Sequence, residues 1–443
     1  MKRFGLSLVI VFAVILSVVF SYYMTKKTEV ETLSVENVYA MAVKSGYSGT
    51  IDDFTNEFRG AIGNDGRGII AASVNAMGHL IITYSDMTTA DAGPVGGDIT
   101  VTEGISGEAI SYALSSTVSI FSKRSTGDYN VGAGVIYKLD KESGAAYVIT
   151  NNHVLYDATV GKRIADSDIS IYLYGKEYPK FAIKCELVGA SVDYDIAVLR
   201  IKNSEAIKNS TARPARIADS ELISILDPVV AVGNPLGYGI SASQGNVNVE
   251  SENRYLSIAA SGGEVFMRVI RFDASINKGN SGGGLYNESG ELIGIVTARE
   301  SEATNLSFAV PSNVAVSVAD NIIHYCLATQ QTNGRVVKLG IGLEVIDATV
   351  KYDPLTEKSA KIETVAVKSV ESGSLAERAG ISVGDIVKSV SLNGRGTVVT
   401  RVYHAPEVNI RAREGDVIVY NILRGGEEIQ ISITVPSDLA QMP

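Results

Sequence analysis

Asn277-Lys278-Gly279-Asn280-Ser281-Gly282-Gly283 is the stretch on which the reading of this chain turns. A single serine stands among three glycines, and a β-type run over 292–297 follows it. A serine hydroxyl is a weak nucleophile alone and needs an adjacent general base. Gly279 and Gly282 let the backbone turn tightly, so the N–H groups of Gly279 and Ser281 can converge as an oxyanion hole. The base must come from four histidines, His79, His153, His324 and His404. His153 lies in Thr150-Asn151-Asn152-His153-Val154, just after a strand-like run over 147–149. Its imidazole titrates near neutrality, as a base for this chemistry must. Asp193-Tyr194-Asp195-Ile196-Ala197-Val198-Leu199 sets Asp195 immediately ahead of an apolar strand. A buried carboxylate there can fix the imidazole tautomer and stabilise the imidazolium. His153, Asp195 and Ser281 are therefore the catalytic candidates.

Outward from these motifs the chain is mainly β. Short β-type runs at 118–121, 134–137, 146–149, 170–174, 197–201, 229–232, 267–272 and 292–297 are separated by turn residues. That spacing predicts an all-β barrel or sandwich. A helical period over 312–327 closes this segment, and a second β-rich segment follows Gly334. The catalytic candidates fall in the order His…Asp…Ser, each on a strand-flanking loop, which is the chymotrypsin-type order. An α/β-hydrolase esterase runs Ser…Asp…His and needs GxSxG in a strand–turn–helix, so that class is excluded. No HExxH and no Cys/His ligand cluster offers a metal site, and no cofactor is expected.

The segment from about 106 to 327 resembles the HtrA (DegP-like) serine proteases, of the membrane-anchored bacterial type. The resemblance rests on Gly132-Ala133-Gly134-Val135-Ile136, Thr150 to Val154, Asp195 to Ile201 and Val232-Gly233-Asn234-Pro235-Leu236-Gly237. It continues through Asp273-Ala274-Ser275-Ile276-Asn277, Gly279 to Gly283 and Phe308-Ala309-Val310-Pro311. It implies a trypsin-like double β-barrel over 105–330, with His153 and Asp195 on the first barrel and Ser281 on the second. It also implies a homotrimer and a substrate pocket lined by Ser275, Ile276, Asn305, Leu306, Ser307 and Phe308. None of these is acidic, so a small aliphatic residue is expected before the scissile bond, rather than Arg or Lys. Three positions depart from the family's common residues: Ala133 stands for Ser, and Lys278 and Gly284 stand for Pro. Residues 335–437 resemble a PDZ domain. Leu339, Gly340 and Ile341 match its carboxylate-binding loop, and 347–361 reads as an insertion. A peptide C-terminus would add there as a strand.

Composition bounds the remainder. The 443 residues carry 39 Lys and Arg against 49 Asp and Glu, a net charge of −10. An acidic chain without a basic cluster is a poor nucleic-acid binder. Cys185 and Cys326 are the two cysteines, too few for a disulfide framework. Lys2 and Arg3 precede 21 uncharged residues from Phe4 to Met24. At 1.5 Å per residue these span about 30 Å, the thickness of a bilayer core. Residues 1–27 therefore read as a membrane anchor, the alternative being a cleaved signal peptide with a shorter apolar region and a small-residue cleavage site. Residues 28–66 read as a small helical module capped at Ser34 and Thr50, and 67–104 as a strand or two and an irregular linker. The combined expectation is a membrane-anchored serine endopeptidase at the outer face of the cell membrane, acting on misfolded or exported proteins, with the PDZ domain binding peptide C-termini. The alternative is a catalytically silent protease-fold and PDZ protein that holds unfolded chains.

Overall fold

The computed structural model describes three strands between 69 and 94, and residues 105–437 apart from 177, 259–262, 300–305, 330–336 and 354–357. The anchor over 1–27 and the helical module over 28–66 lie outside the described residues. Among the described residues no helix is long and apolar enough to cross a membrane. Within the expected linker 67–104, the strands Ile69–Val74, His79–Tyr84 and Thr89–Pro94 form an antiparallel meander. The third strand, Thr-Ala-Asp-Ala-Gly-Pro, is poor in β-formers. Pairing with its neighbour makes it a strand, and composition alone points to a loop.

The larger unit begins with a helix, Gly107–Ser116, ahead of the first expected β-type run at 118–121. Ser106 caps it by accepting the Ala109 N–H at 3.1 Å, and Ala109 and Ala113 are buried. Seven strands follow in one antiparallel sheet. Their order is Ile183–Lys184, Ile169–Leu173, Thr117–Lys123, Tyr129–Asp140, Ala145–Thr150, Ile196–Ile201 and Glu186–Ser191. In its hydrogen bonding this is an open sheet, not the closed first barrel the resemblance implied. Six further strands do close into a barrel: Pro228–Gly233, Ser241–Ile258, Gly263–Phe272, Ser307–Pro311, Leu292–Arg299 and Gly284–Tyr286, the last pairing back to the first. Alternation along each strand sorts its residues between two cores. Val229 and Ala231 turn into the barrel with Phe272 and Leu285. Val230 and Val232 turn to the shared core with Val135, Ile149, Val198 and the helix Ser312–Thr329. That shared core seats the loops of the two sheets against each other.

The C-terminal sheet orders Ile341–Asp353, Lys358–Val370, Ile386–Leu392, Val417–Arg424 and Glu427–Thr434, with Arg395–Val398 paired to the third. The expected insertion over 347–361 is not a separate element. It prolongs the first hairpin, with Asp347 opposite Thr364 and Asp353 opposite Lys358.

One buried cation joins this sheet's helix His404–Ile410 to the barrel. The Arg268 side chain is 4% exposed, and its Nη1 lies 2.8 Å from Glu407 and 2.7 Å from Glu221. Its Nε donates to Ser251 Oγ at 2.6 Å, and the guanidinium sits 3.9 Å from the Tyr403 ring centroid. Removing one partner of a buried pair strands the other charge, at about 3–5 kcal/mol. Arg268→Met is therefore expected to lower the unfolding temperature clearly in scanning calorimetry. An unchanged transition would show that the joint contributes nothing.

Candidate active site

His153 lies in the 3-10 turn Asn152–Leu155, directly after the strand Ala145–Thr150. Asp195 precedes the neighbouring strand Ile196–Ile201, and that pairing brings the two loops together. Asp195 is fully buried, with φ at 49°, a left-handed conformation that Asp tolerates better than most residues. Its backbone carbonyl accepts the Asn152 N–H at 3.1 Å and the Asn151 Nδ2 at 2.9 Å. Its Oδ1 accepts the His153 backbone N–H at 3.0 Å, and its Oδ2 lies 2.7 Å from His153 Nδ1. That contact assigns the ring proton to Nδ1 and leaves Nε2 free as a base. Burial alone pulls the imidazole pKa down; the Asp195 charge and hydrogen bond outweigh it, and the net shift is upward.

A fourth residue completes the arrangement. Thr297 donates its hydroxyl to Asp195 Oδ2 at 2.7 Å, and its carbonyl accepts the Ser281 hydroxyl at 3.2 Å. Among the described residues that carbonyl, and not the His153 ring, is the hydrogen-bond partner of Ser281 Oγ. Sequence reasoning missed Thr297, because a threonine closing an apolar strand looks like any β-branched strand residue.

The nucleophile loop is fixed by backbone contacts. Ala133 N–H donates to the Ser281 carbonyl at 2.8 Å, and Gly282 N–H to the Val296 carbonyl at 2.8 Å. Gly282 holds φ at 84°, and a Cβ there would fall 2.2 Å from the Ala133 oxygen, so only glycine fits. Gly284, a departure from the family pattern, also has a local cause. A Cβ would fall 2.4 Å from the Tyr286 ring, whose hydroxyl is held at 3.0 Å by both Ser116 and Thr117. The Lys278 carbonyl accepts the Leu236 N–H at 2.7 Å. Among the described residues no backbone carbonyl accepts the N–H of Gly279 or Ser281, which leaves both expected oxyanion donors available.

The expected substrate pocket is only partly assembled. Ser307 Oγ donates to the Ala274 carbonyl at 3.2 Å, which sets the strand Ser307–Pro311 against the segment before the nucleophile. Ser275 is exposed, Leu306 half-buried, and Asn305 lies outside the described residues. Ile276 packs with Phe272 and Ala309, whereas Phe308 packs with Met267 and Val269 on the other face of its strand. These two therefore do not face one cavity. In the C-terminal sheet the Leu339 carbonyl accepts the Ala376 N–H at 3.0 Å, and the Gly340 carbonyl the Glu371 N–H at 2.8 Å. Ile341 opens the edge strand. Among the described residues no cluster of three or more His, Cys, Asp or Glu could hold a metal ion.

An imidazole oriented by a buried carboxylate, beside a serine in a glycine loop with two unused N–H donors, defines the trypsin-fold serine protease class. The comparisons agree. Residues 132–295 match the family described as a trypsin-like peptidase domain. The chain is 31% identical over 311 residues to a serine protease Do-like HtrA of Bacillus subtilis, covering 67% of this chain and 62% of that one. To the periplasmic serine endoprotease DegP of Escherichia coli K12 it is 31% identical over 309 residues, 68% of this chain and 56% of that one. The solved HtrA-type protease AlgW with tripeptide overlays with a TM-score of 0.51 at 24% identity, covering 74% of this chain and 95% of that one, a likeness of fold. Together these matches support an HtrA-family trypsin-fold serine protease. The chain spans just over half the length of the curated relatives it matches.

Proposed function

We propose that this protein is a serine endopeptidase that cleaves misfolded or exported proteins. The observation that carries the reading is the Asp195–His153 pair, tied to the Ser281 loop through Thr297, whose hydroxyl bonds Asp195 and whose carbonyl bonds Ser281. In the reaction His153 takes the Ser281 proton as the hydroxyl attacks the scissile carbonyl, and returns it to the leaving amine. Asp195 stays ionised and stabilises the imidazolium, while the N–H groups of Gly279 and Ser281 receive the oxyanion. The Ser281 hydroxyl must first leave the Thr297 carbonyl, and catalytic hydrogen bonds of this kind often tighten only when substrate is bound.

The test is casein cleavage, with and without Ser281→Ala, together with labelling by a fluorophosphonate. Sequencing the products reads specificity, and cuts should follow small aliphatic residues. A profile dominated by Arg or Lys would overturn that preference. The pH dependence follows from His153, which must be neutral to act. Its folded pKa lies above the ordinary 6.5, so base function is full at higher pH and is lost as pH falls through that raised value. The acid limb of kcat/KM is expected to have its midpoint above 6.5. A midpoint below it would remove Asp195 as the partner that sets it.

In the same reading residues 1–27 anchor the chain, with the catalytic unit outside the cytoplasm. The apolar run 4–24 behind Lys2 and Arg3 supports this. Loss of the region after residue 28 on protease shaving of wall-stripped cells is the expected result; its survival would invert the topology. The C-terminal sheet acts as a PDZ domain that takes peptide C-termini at Leu339, Gly340 and Ile341 by strand addition. Self-association as a homotrimer is supported by an exposed aromatic surface, in which Tyr129 and Tyr178 stand 40% and 42% exposed against Phe121. Patches of this kind mark interaction sites. The second reading, a catalytically silent binding protein, draws on the Ser281 hydroxyl being bonded to Thr297, and fluorophosphonate labelling decides between the two.

A further inference from the structure

The turn over residues 234–237 lies outside the triad, yet it grips the nucleophile loop on both sides of Gly279. The Asn234 N–H donates to the Gly279 carbonyl at 3.1 Å, and the Leu236 N–H to the Lys278 carbonyl at 2.7 Å. The carbonyl and N–H of one trans peptide point in opposite directions. Holding the Lys278 carbonyl against the turn therefore aims the Gly279 N–H away from it. Rotating that one peptide would present an acceptor where the chemistry needs a donor. The contact is backbone to backbone, since Gly279 holds φ at 102° and a Cβ would fall 2.1 Å from the Asn234 oxygen.

Leu236 itself sits at φ 57°, with its side chain 58% exposed. A leucine in the left-handed region is held there by its surroundings, and packing of an exposed side chain does not supply that hold. The turn does. Gly239 N–H donates to Asn234 Oδ1 at 2.9 Å, and the Gly237 N–H closes on the Asn234 carbonyl at 3.2 Å.

We propose that the Leu236 N–H is a positioning group for the oxyanion hole, fixing the 278–279 peptide so that Gly279 donates to the tetrahedral intermediate. The proposal rests on the endopeptidase reading above. The test is an amide-to-ester exchange in the full chain, with residue 236 replaced by the α-hydroxy acid analogue of leucine. This deletes the donor and keeps the side chain. Losing one oxyanion donor costs about 10²–10³ in kcat. A peptide left free to rotate is expected to cost about tenfold or more in kcat, with KM within about twofold. Affinity for a peptide boronic acid, whose tetrahedral adduct fills the hole, should fall with kcat. The control is the same exchange at Tyr238, which deletes a hydrogen bond within the turn and leaves the loop contact intact; its kcat should change by less than about twofold. Equal losses at both positions would mean only that the turn is weakened, and would overturn the proposal. So would an unchanged kcat and boronate affinity for the 236 ester in a protein that takes fluorophosphonate on Ser281. If the unmodified chain neither labels nor cleaves, the endopeptidase reading falls and takes this proposal with it.

Discussion

Ser281→Ala is expected to lower kcat on a fluorogenic peptide by about 10⁶-fold while the protein stays folded. The change removes the attacking oxygen and one hydrogen bond, that to the Thr297 carbonyl at 3.2 Å. Such a bond contributes about 0.5–1.5 kcal/mol net, which a domain with these cores tolerates. The loop keeps its shape, because it is held by the Ser281 carbonyl on Ala133 and by the Gly282 N–H on Val296, and both survive the substitution. His153→Ala should cost about as much, and the double variant little more than either, because nucleophile and base act as one unit. Initial rates alongside circular dichroism check this, and turnover near the parent's would sink the assignment.

Asp195→Asn should cost about 10⁴-fold in kcat with the fold intact. Asparagine accepts the same left-handed backbone, so φ 49° is no obstacle. The loss comes from donors. Asp195 receives three N–H or O–H groups on its two oxygens: the His153 backbone, His153 Nδ1 and Thr297 Oγ1. An amide offers one oxygen and one NH₂. With its oxygen toward the imidazole, its NH₂ meets the backbone N–H of His153. Reversed, its NH₂ donates to Nδ1 and drives the proton to Nε2, the atom that must accept from Ser281. The first orientation sets donor against donor and the second misplaces the base, and both lose the carboxylate charge. Stopped-flow rates and the rate of fluorophosphonate labelling measure it, and a loss below tenfold would remove Asp195 from the mechanism.

The triad was legible because each member carries a residue type with chemistry, set at a strand end that hydropathy reveals. The strands were legible as apolar runs, and Val229, Val230, Ala231 and Val232 are apolar throughout because their two faces line two cores. The helix Gly107–Ser116 was not, because its short, serine-rich run borders a strand and only the Ser106 cap marks its start. Thr297 was hidden by being an ordinary strand residue. Leu236 acts through a backbone N–H, which leaves no residue-type signature at all. The residues expected to line the substrate pocket are split by parity. Adjacent residues of one strand face opposite ways, so grouping Ser307 with Phe308 placed both on a wall that only one can line.

Under the proposed function, Thr297 also ties completion of the site to a late step of folding. During synthesis the segment with His153 and Asp195 emerges first, and domains tend to form in that order. The strand Leu292–Arg299, which carries Thr297, emerges after it and after the nucleophile loop. Until that strand docks, the acid lacks one of its three donors and the serine lacks its resting partner. In the proposed endopeptidase, a chain whose strand Leu292–Arg299 has not docked is therefore expected to be less active than the folded protein.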